Sequence, residues 1–362
     1  YNRIWNRMAT PSADSLLAAV NNDHYKKFIT MAANYNKLDD FLSKMSNDHA
    51  NNLMTNFVNN LDKGKGDDLE DAVDVANSYA SITNDTIKKL MLKQIKKNYD
   101  IADSHGNKRG EIIYRLEKLI LESSDTASKI NLTESLGILP IYDVKNEFLR
   151  DSLGRIVLQM YFYGDKSGMG IFESFKNIYS NKNWKINSTP EWVQFTSVNS
   201  KTPFVIFANR ALDEEQNLDD QAQDHLNSWM EQNGFQPGIT VHRGHSYYLS
   251  STVKKLSSSN KIIILGSCGA YHSMKSILDI CPNAYLIASK QVGYGEINAA
   301  LFTTLVDELK NGRDINWETF WKKLQTKIIK NTGGFDDYVP PYKNLGAIFI
   351  KAYKKAVEIE EE

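Results

Sequence analysis

Two short apolar runs constrain this chain more than anything else in it: Gly238-Ile-Thr-Val-His-Arg-Gly-His-Ser246 and Ile262-Ile-Ile-Leu-Gly-Ser-Cys-Gly269. β-Branched residues crowd both, which favours extended backbone. The second opens on four consecutive apolar residues with no polar alternation. That pattern marks a strand buried on both faces, as in a parallel sheet. A helix-like segment follows each run, so each reads as one β/α unit. Residues just past such strands emerge at the carboxyl edge of the sheet, where open α/β folds bind ligands. One run delivers His245 to that edge and the other delivers Cys268.

The same alternation extends from residue 146 to 315. Arg155–Gly164 reads as a strand after an Asp151–Gly154 turn, and Met169–Tyr179 as a helix. Trp192–Val198 and Pro203–Asn209 read as strands, Leu218–Gln232 as a helix ending near Gly234. Then come strand 238–244, a short helix near 250–256, strand 261–267, a helix near 270–279, strand 284–289 and a helix near 296–310. The fold class is α/β, a mostly parallel sheet with helices on both faces in three layers.

Residues 1–145 carry apolar positions three and four apart, the spacing of amphipathic helices. Ser12 is expected to cap a helix through Leu16, Leu17 and Val20 to Met31. Further helices carry Phe41 and Phe57, Val73 and Tyr79, Ile87 and Tyr99 (opened by Thr83 or Asn84), and Ile112 to Ile120. Gly64 with Gly66, and Gly106, interrupt them. This stretch reads as an all-α domain, a helical repeat array or a bundle, with a role in packing or in binding a protein partner. Residues 146–362 form the second domain. Its last part returns to helix, with a Trp317, Phe320, Trp321, Leu324, Ile328 stripe and a Leu345, Ile348, Phe349, Ile350, Tyr353 stripe separated by Pro340-Pro341.

The balance of 43 Lys and Arg against 44 Asp and Glu gives a net charge of −1, so no field steers the chain toward nucleic acid. No run approaches the roughly 20 apolar residues of a membrane span. Two cysteines, Cys268 and Cys281, exclude a disulfide scaffold. The chain opens on Tyr1 rather than Met, the mark of a trimmed chain or of one that has lost a leader; the second leans toward an exported or periplasmic protein.

Cys268 differs from an inert core cysteine in three ways. It ends a strand, it is flanked by Gly266, Ser267, Gly269 and Ala270, and it precedes a helix whose amino end would favour a thiolate. Cys281, just before Pro282, is expected to be structural. His242 and His245 compete as its base. Their odd spacing puts them on opposite faces of the strand. His242 lies within the strand and is expected to be packed; His245 lies at its end and is preferred. The 23 residues from His245 to Cys268 (268 − 245) hold one short helix and one strand, so the two belong to adjacent strands.

A strand ending in His followed by a strand ending in Cys resembles the caspase-like cysteine peptidases, the group of caspases, gingipains, clostripain, legumain and separase. The matching residues are His245-Ser246 and Gly-Ser-Cys268-Gly, and the resemblance covers roughly residues 155–310. With the helical part before it, the chain also resembles bacterial proteins that fuse helical repeats to such a peptidase. The resemblance implies a caspase-like sheet and a cysteine endopeptidase acting on a peptide or protein substrate without cofactor or metal. Cys268 would attack the scissile carbonyl and His245 would carry the proton. Backbone N–H groups of Gly244, Ser246 and Gly269 would hold the oxyanion. Ser246 stands where the family commonly has glycine, which also admits a divergent, catalytically silent member whose helical part binds a partner. The substrate pocket would come from neighbouring strand ends: Asp165 and Lys166 after the first strand, Ser289, Lys290 and Gln291 after the strand beyond Cys268. Asp165 facing the pocket would select a basic side chain; Lys166 or Lys290 would select an acidic one.

Rival chemistries are thinner. Cys268 and His272, four apart, could bind zinc with His242 or His245, but no second Cys or His pair supports it. Gly164-Asp-Lys-Ser-Gly-Met-Gly170 is a glycine-rich strand-to-helix turn without the order of a phosphate loop, and is expected to border the active cleft. Ser246 and Ser267 lack a nucleophile elbow. Tyr247 and Tyr248 are placed at the cleft.

Overall fold

The computed structural model describes residues 22–64, 68–124, 130–328 and 332–361. Ser12, Leu16, Leu17, Val20, Gly66 and Asp67 lie outside them. The chain divides into two compact units, residues 1–141 with 343–362, and residues 142–342.

The first unit is helical in its described residues: Asn22–Asn34, Leu38–Leu42, Asn47–Phe57, Glu70–Tyr79, Asp85–Ser104, Lys108–Ser123, Leu132–Leu136 and Leu345–Glu361. Side-chain caps start three of them. Ser46 accepts from His49 N, Asn84 from Thr86 N and Ile87 N, and Asn107 from Gly110 N, each supplying an acceptor that the first turn lacks. The apolar stripes converge: Phe41, Met54, Val75, Ile95, Ile113 and Phe349 share one core. The boundary expected near residue 145 therefore covers only part of this unit. The stripe of Leu345, Ile348, Phe349 and Tyr353 packs with the helices of residues 22–136, not with the sheet. Gly346 fixes that packing, because its N–H donates to Asn77 Oδ1 at 2.9 Å and a Cβ there would lie 2.5 Å from the Asn77 side chain.

The second unit holds the sheet. In chain order its strands are β1 (Asp143–Val144), β2 (Ile156–Phe162), β3 (Trp184–Ser188), β4 (Trp192–Ser197), β5 (Phe204–Asn209), β6 (Ile239–Arg243), β7 (Ile262–Leu265), β8 (Tyr285–Ser289), β9 (Ile315–Asn316) and β10 (Tyr338–Val339). β1 and β9 pair with each other; the other eight form one sheet in the order β10-β8-β7-β6-β2-β5-β4-β3. The five strands from β8 to β5 run parallel, with antiparallel pairings only toward the two edges.

Alternation along the strands assigns the two faces. Ile156, Leu158, Met160 and Phe162 of β2 share a core with Phe172 and Phe175 of helix Lys166–Tyr179 and with Leu301 and Leu305 of helix Gly295–Lys310. Val157 of β2 and Val205 and Phe207 of β5 instead meet Leu226 and Met230 of helix Leu218–Gln232. Each fully buried aliphatic or aromatic side chain of this kind contributes about 1.5–3 kcal/mol, so both helix layers are held to the sheet by several such contacts.

Chain direction creates a crevice. β2 connects onward to β5 on one side; β6 then pairs with the opposite side of β2, and β7 and β8 extend away from it. The segments after β2 and β6 therefore diverge at their carboxyl ends, the topological switch where ligands bind in open α/β sheets.

Candidate active site

β6 and β7 are in register, His242 beside Leu265. His245 and Cys268 each lie three residues past that pair (245 − 242 and 268 − 265), so both leave the same edge at the same height. They line one cavity of about 130 Å³, together with Asp165 past β2, Arg243, Ser267 and Asn298. Among the described residues no hydrogen bond joins the His245 ring to the Cys268 sulfur.

The Cys268 thiol is exposed. Its sulfur accepts from Gly293 N at 3.4 Å. Position 293 must be glycine for that approach, because a Cβ there would sit 2.4 Å from Gly266 O. Gly269 follows with φ of 62°, a left-handed conformation that turns the chain away from the strand. No long helix begins here. A 3-10 segment, Ala270–Ser273, precedes the seven-residue helix Met274–Ile280, so the sulfur has the Gly293 N–H in place of the expected helix terminus.

His245 is half exposed at 51% and stacks on Tyr247, with ring centroids 5.3 Å apart. Its Nε2 lies 3.0 Å from Ser167 Oγ and 3.7 Å from Asp165 Oδ1. The Ser167 hydroxyl donates its single hydrogen to Asp165 Oδ1, so it can only accept from His245 Nε2–H. That relay leaves the proton on Nε2 and the lone pair on Nδ1. Asp165 is the N-cap of helix Lys166–Tyr179, accepting from Ser167 N and Gly168 N. Burial works to raise its pKa, but the Ser167 hydroxyl, these amides and His245 together hold it below the ordinary carboxylate value. The carboxylate anticipated as a pocket wall does line the cavity; its Oδ1 serves the helix cap and faces the histidine, while its Oδ2 is buried with no hydrogen-bond partner among the described residues. The sequence signal was present: an Asp with Ser two residues on, opening a helix after a central strand.

His242 is packed inside. It is fully buried, its Nδ1 lies 2.7 Å from Thr252 Oγ1 and its Nε2 3.3 Å from the His245 carbonyl oxygen. Tyr163 Oη lies 2.6 Å from the same Thr252 hydroxyl. The Tyr163–Thr252–His242 chain thus anchors the backbone of the exposed histidine. Burial lowers the His242 pKa from 6.5 to about 4. Unfolded, His242 takes a proton near its ordinary value; folded, it refuses one until about pH 4. The unfolded chain binds more protons across that window, so the neutral ring's contribution, on the order of 3 kcal/mol, is present above it and lost as pH falls through it. His242→Asn is expected to flatten this part of the stability curve, measured as denaturant midpoints from pH 7 to pH 4. An unchanged slope would show that the ring titrates normally in the fold.

The other anticipated positions divide. Gly244 lines the cavity, and a Cβ there would lie 2.3 Å from the Tyr163 ring. Gly269 N–H is not available to an oxyanion, because it donates to Gln291 O at 2.7 Å. Ser246 opens an exposed 3-10 turn and is not among the lining residues. Lys166, Ser289, Lys290 and Gln291 are also off the lining. Ser289 is buried and its hydroxyl donates to Val292 O, while Lys290 Nζ lies 5.3 Å from the Tyr271 ring centroid. These three residues shape the loop that brings Gly293 to the sulfur. What sequence reasoning missed is Arg243, an alternating strand position that reads as solvated and is 6% exposed.

Cys281 is buried, donates to Ser257 O at 3.1 Å, and burial raises its pKa to about 11, an unreactive thiol. No group of three His, Cys, Asp or Glu among the described residues converges as a metal would require. Glycine at 164 and 168 is required by space, since Cβ atoms there would strike Leu212 O and Tyr163 O. No described helix is long and apolar enough to cross a membrane.

No protein-family model, no curated protein and no solved structure matches this chain.

Proposed function

We propose that this chain is a caspase-like cysteine peptidase in which Cys268 is the nucleophile and His245 the proton carrier. The observation that carries the reading is their shared cavity, in which Asp165 and Ser167 hold His245 Nε2 and leave Nδ1 for proton transfer. The Cys268 thiolate attacks the scissile carbonyl carbon and a C–S bond forms. The C–N bond then breaks, and the departing amine takes the proton that the imidazolium carried. Water attacks the thioester, gives a proton to His245, and the C–S bond breaks to return the thiolate. Gly293 N–H supports the sulfur before attack. The helical unit, with its amphipathic helices, is the part assigned to a protein partner, and the sheet with its two helix layers carries the chemistry.

Alkylation by iodoacetamide near neutral pH tests the dyad without any knowledge of the substrate. Cys268 is expected to react at least about tenfold faster than a free cysteine peptide, with Cys281 silent. His245→Ala is expected to bring Cys268 back to the free-thiol rate. A wild-type rate no higher than the peptide's would favour a silent caspase-like scaffold whose helical part binds a partner.

A further inference from the structure

A hydrogen bond at Nε2 fixes one point of the His245 ring and leaves its plane free to swing about that point. The side chain is 51% exposed, so packing alone does not restrain it. Tyr247, two residues on, supplies a plane. Its ring lies 5.3 Å from the His245 ring, centroid to centroid, at an interplanar angle of 12°, the offset stack that aromatic pairs favour. Tyr247 is itself backed from behind. Its ring centroid is 4.3 Å from that of Tyr248, and Tyr248 stacks on Tyr163 at 4.1 Å and 7°. Tyr163 is buried, and its hydroxyl lies 2.6 Å from Thr252 Oγ1, the group that also meets His242. A ladder of rings therefore runs from the interior to the exposed histidine. The local backbone makes it: residues 246–248 form one 3-10 turn capped by His245, and Tyr248 N donates to His245 O at 3.1 Å. Tyr247 is 66% exposed, its hydroxyl makes no hydrogen bond among the described residues, and it is not in the cavity lining. With no part in the core or in the pocket, the ring face is what it has to offer.

We propose that Tyr247 is a positioning residue for His245: its ring face fixes the plane of the imidazole, so that Nδ1 keeps one direction, and favours the imidazolium over the neutral ring. The proposal rests on the peptidase reading for the work the ring does, but the stack itself does not need catalysis. The face of an aromatic ring is its negative side, and a cation within about 6 Å of the centroid is attracted to it. The imidazolium is the form that pairs with a thiolate and later gives its proton to the departing amine. Other groups act on the same ring. Asp165, 3.7 Å away past β2, favours the imidazolium, and so does Cys268 past β7 once it is a thiolate. Arg243, a cation in the same lining, opposes it. His242 stays neutral down to about pH 4, and Glu214, after β5, acts on Asp165 and on Tyr247. The stack adds to this balance, so its removal moves the histidine by a fraction of a pH unit and does not abolish its titration.

Two measurements separate the stack from the peptidase. The first reads the ring directly, by NMR titration of the full chain carrying Cys268→Ser, so that no thiol titrates beside it. The His245 signal is assigned by its loss in His245→Ala. Adding Tyr247→Leu is expected to lower the His245 pKa by about half a pH unit, a shift that a merely structural role would not produce. Tyr247→Phe, which keeps the face and drops the hydroxyl, is expected to hold the original value. Denaturant midpoints check that both variants keep the fold. The second measurement is iodoacetamide labelling of Cys268 at neutral pH. Tyr247→Leu is expected to slow it about two- to threefold, the change that half a unit makes in the coupled thiol–imidazole equilibrium, and Tyr247→Phe is expected to restore it. A His245 pKa that does not move in Tyr247→Leu, with fast labelling in the wild type, overturns the role of Tyr247 and leaves the peptidase standing. A shifted pKa with wild-type labelling no faster than a free cysteine peptide sustains the stack and overturns the peptidase. An unmoved pKa with slow labelling overturns both. Equal shifts in Tyr247→Leu and Tyr247→Phe overturn the ring-face assignment, since the hydroxyl would then be the cause.

Discussion

Gly164→Ala is expected to destabilise the chain by about 3 kcal/mol or more, read as a fall in the denaturant midpoint. A Cβ at this position would lie 1.5 Å from Leu212 O, 2.7 Å from its carbonyl carbon and 2.8 Å from Glu214 N, and all three are backbone atoms that no rotamer change can move. The neighbourhood is tied down as well. Gly164 N donates to Asp219 Oδ2 at 2.9 Å, and Leu212 N donates to Arg210 O at 2.9 Å. The residue after Gly164 is Asp165, so any relief of the clash drags the helix cap and the carboxylate beside His245 with it. The variant is therefore expected to lose fast Cys268 labelling along with stability. Gly170, six residues on in the same glycine-rich segment, is the internal control. Nothing lies within 4 Å of its missing Cβ, and it stands inside helix Lys166–Tyr179. Gly170→Ala is expected to stabilise by about 0.5–1 kcal/mol through helix propensity. Equal effects at the two positions would show that backbone freedom, and not space, keeps glycine there.

The second large effect lies in the helical unit and has the opposite sign. Glu117 of helix Lys108–Ser123 is 0% exposed, and both carboxylate oxygens are buried without a hydrogen-bond partner. Burial raises its pKa well above the ordinary 4.5, so the group stays protonated in the fold where the unfolded chain would ionise it. Above pH 4.5 the unfolded chain binds fewer protons at this position than the folded one. Stability therefore falls as pH rises, until the folded carboxyl itself ionises. Glu117→Leu, close in volume and flanked in its helix by the buried Ile113, Leu116, Ile120 and Leu121, removes that penalty. It is expected to raise stability by about 2 kcal/mol or more at pH 7 and by less near pH 4.5. Glu117→Gln is expected to remove the pH dependence while gaining less, because an amide left without partners is still unfavourable. Thermal or denaturant unfolding at the two pH values separates these outcomes. A Glu117→Leu variant less stable than wild type would mean that the carboxyl has a partner that the fold depends on.

The parts of the fold that were legible in the sequence share one property: local pattern and burial agree there. The run Ile262–Leu265 is buried on both faces and reads that way, as does Phe204–Asn209. β3 was not legible, because its short Trp184-Lys-Ile-Asn-Ser188 alternation is not matched by burial: only the tryptophan is buried and Ile186 is exposed. β10 is two residues long and forms by pairing with β8, a long-range event that leaves no local pattern. The helix Leu345–Glu361 shows how a correct element acquires a wrong neighbour. Its stripe states that it packs, but not against which core, and the partners lie far earlier in the chain.

What the sequence by itself determined is the delivery of two reactive side chains. Apolar β-branched runs make parallel strands, small residues end them, and so His245 and Cys268 reach one edge in adjacent strands. That conclusion needs only the period of the strand and the direction of the chain. The tertiary structure alone decided what surrounds them. It turned Asp165 toward a helix cap and the histidine, engaged the Gly269 N–H with Gln291 O, and sank Arg243 into the cavity wall without a counter-ion. The reason is physical. Strand and helix periods are set by neighbours a few residues apart, whereas the partner of a charge or an N–H is set by whichever distant segment folds against it.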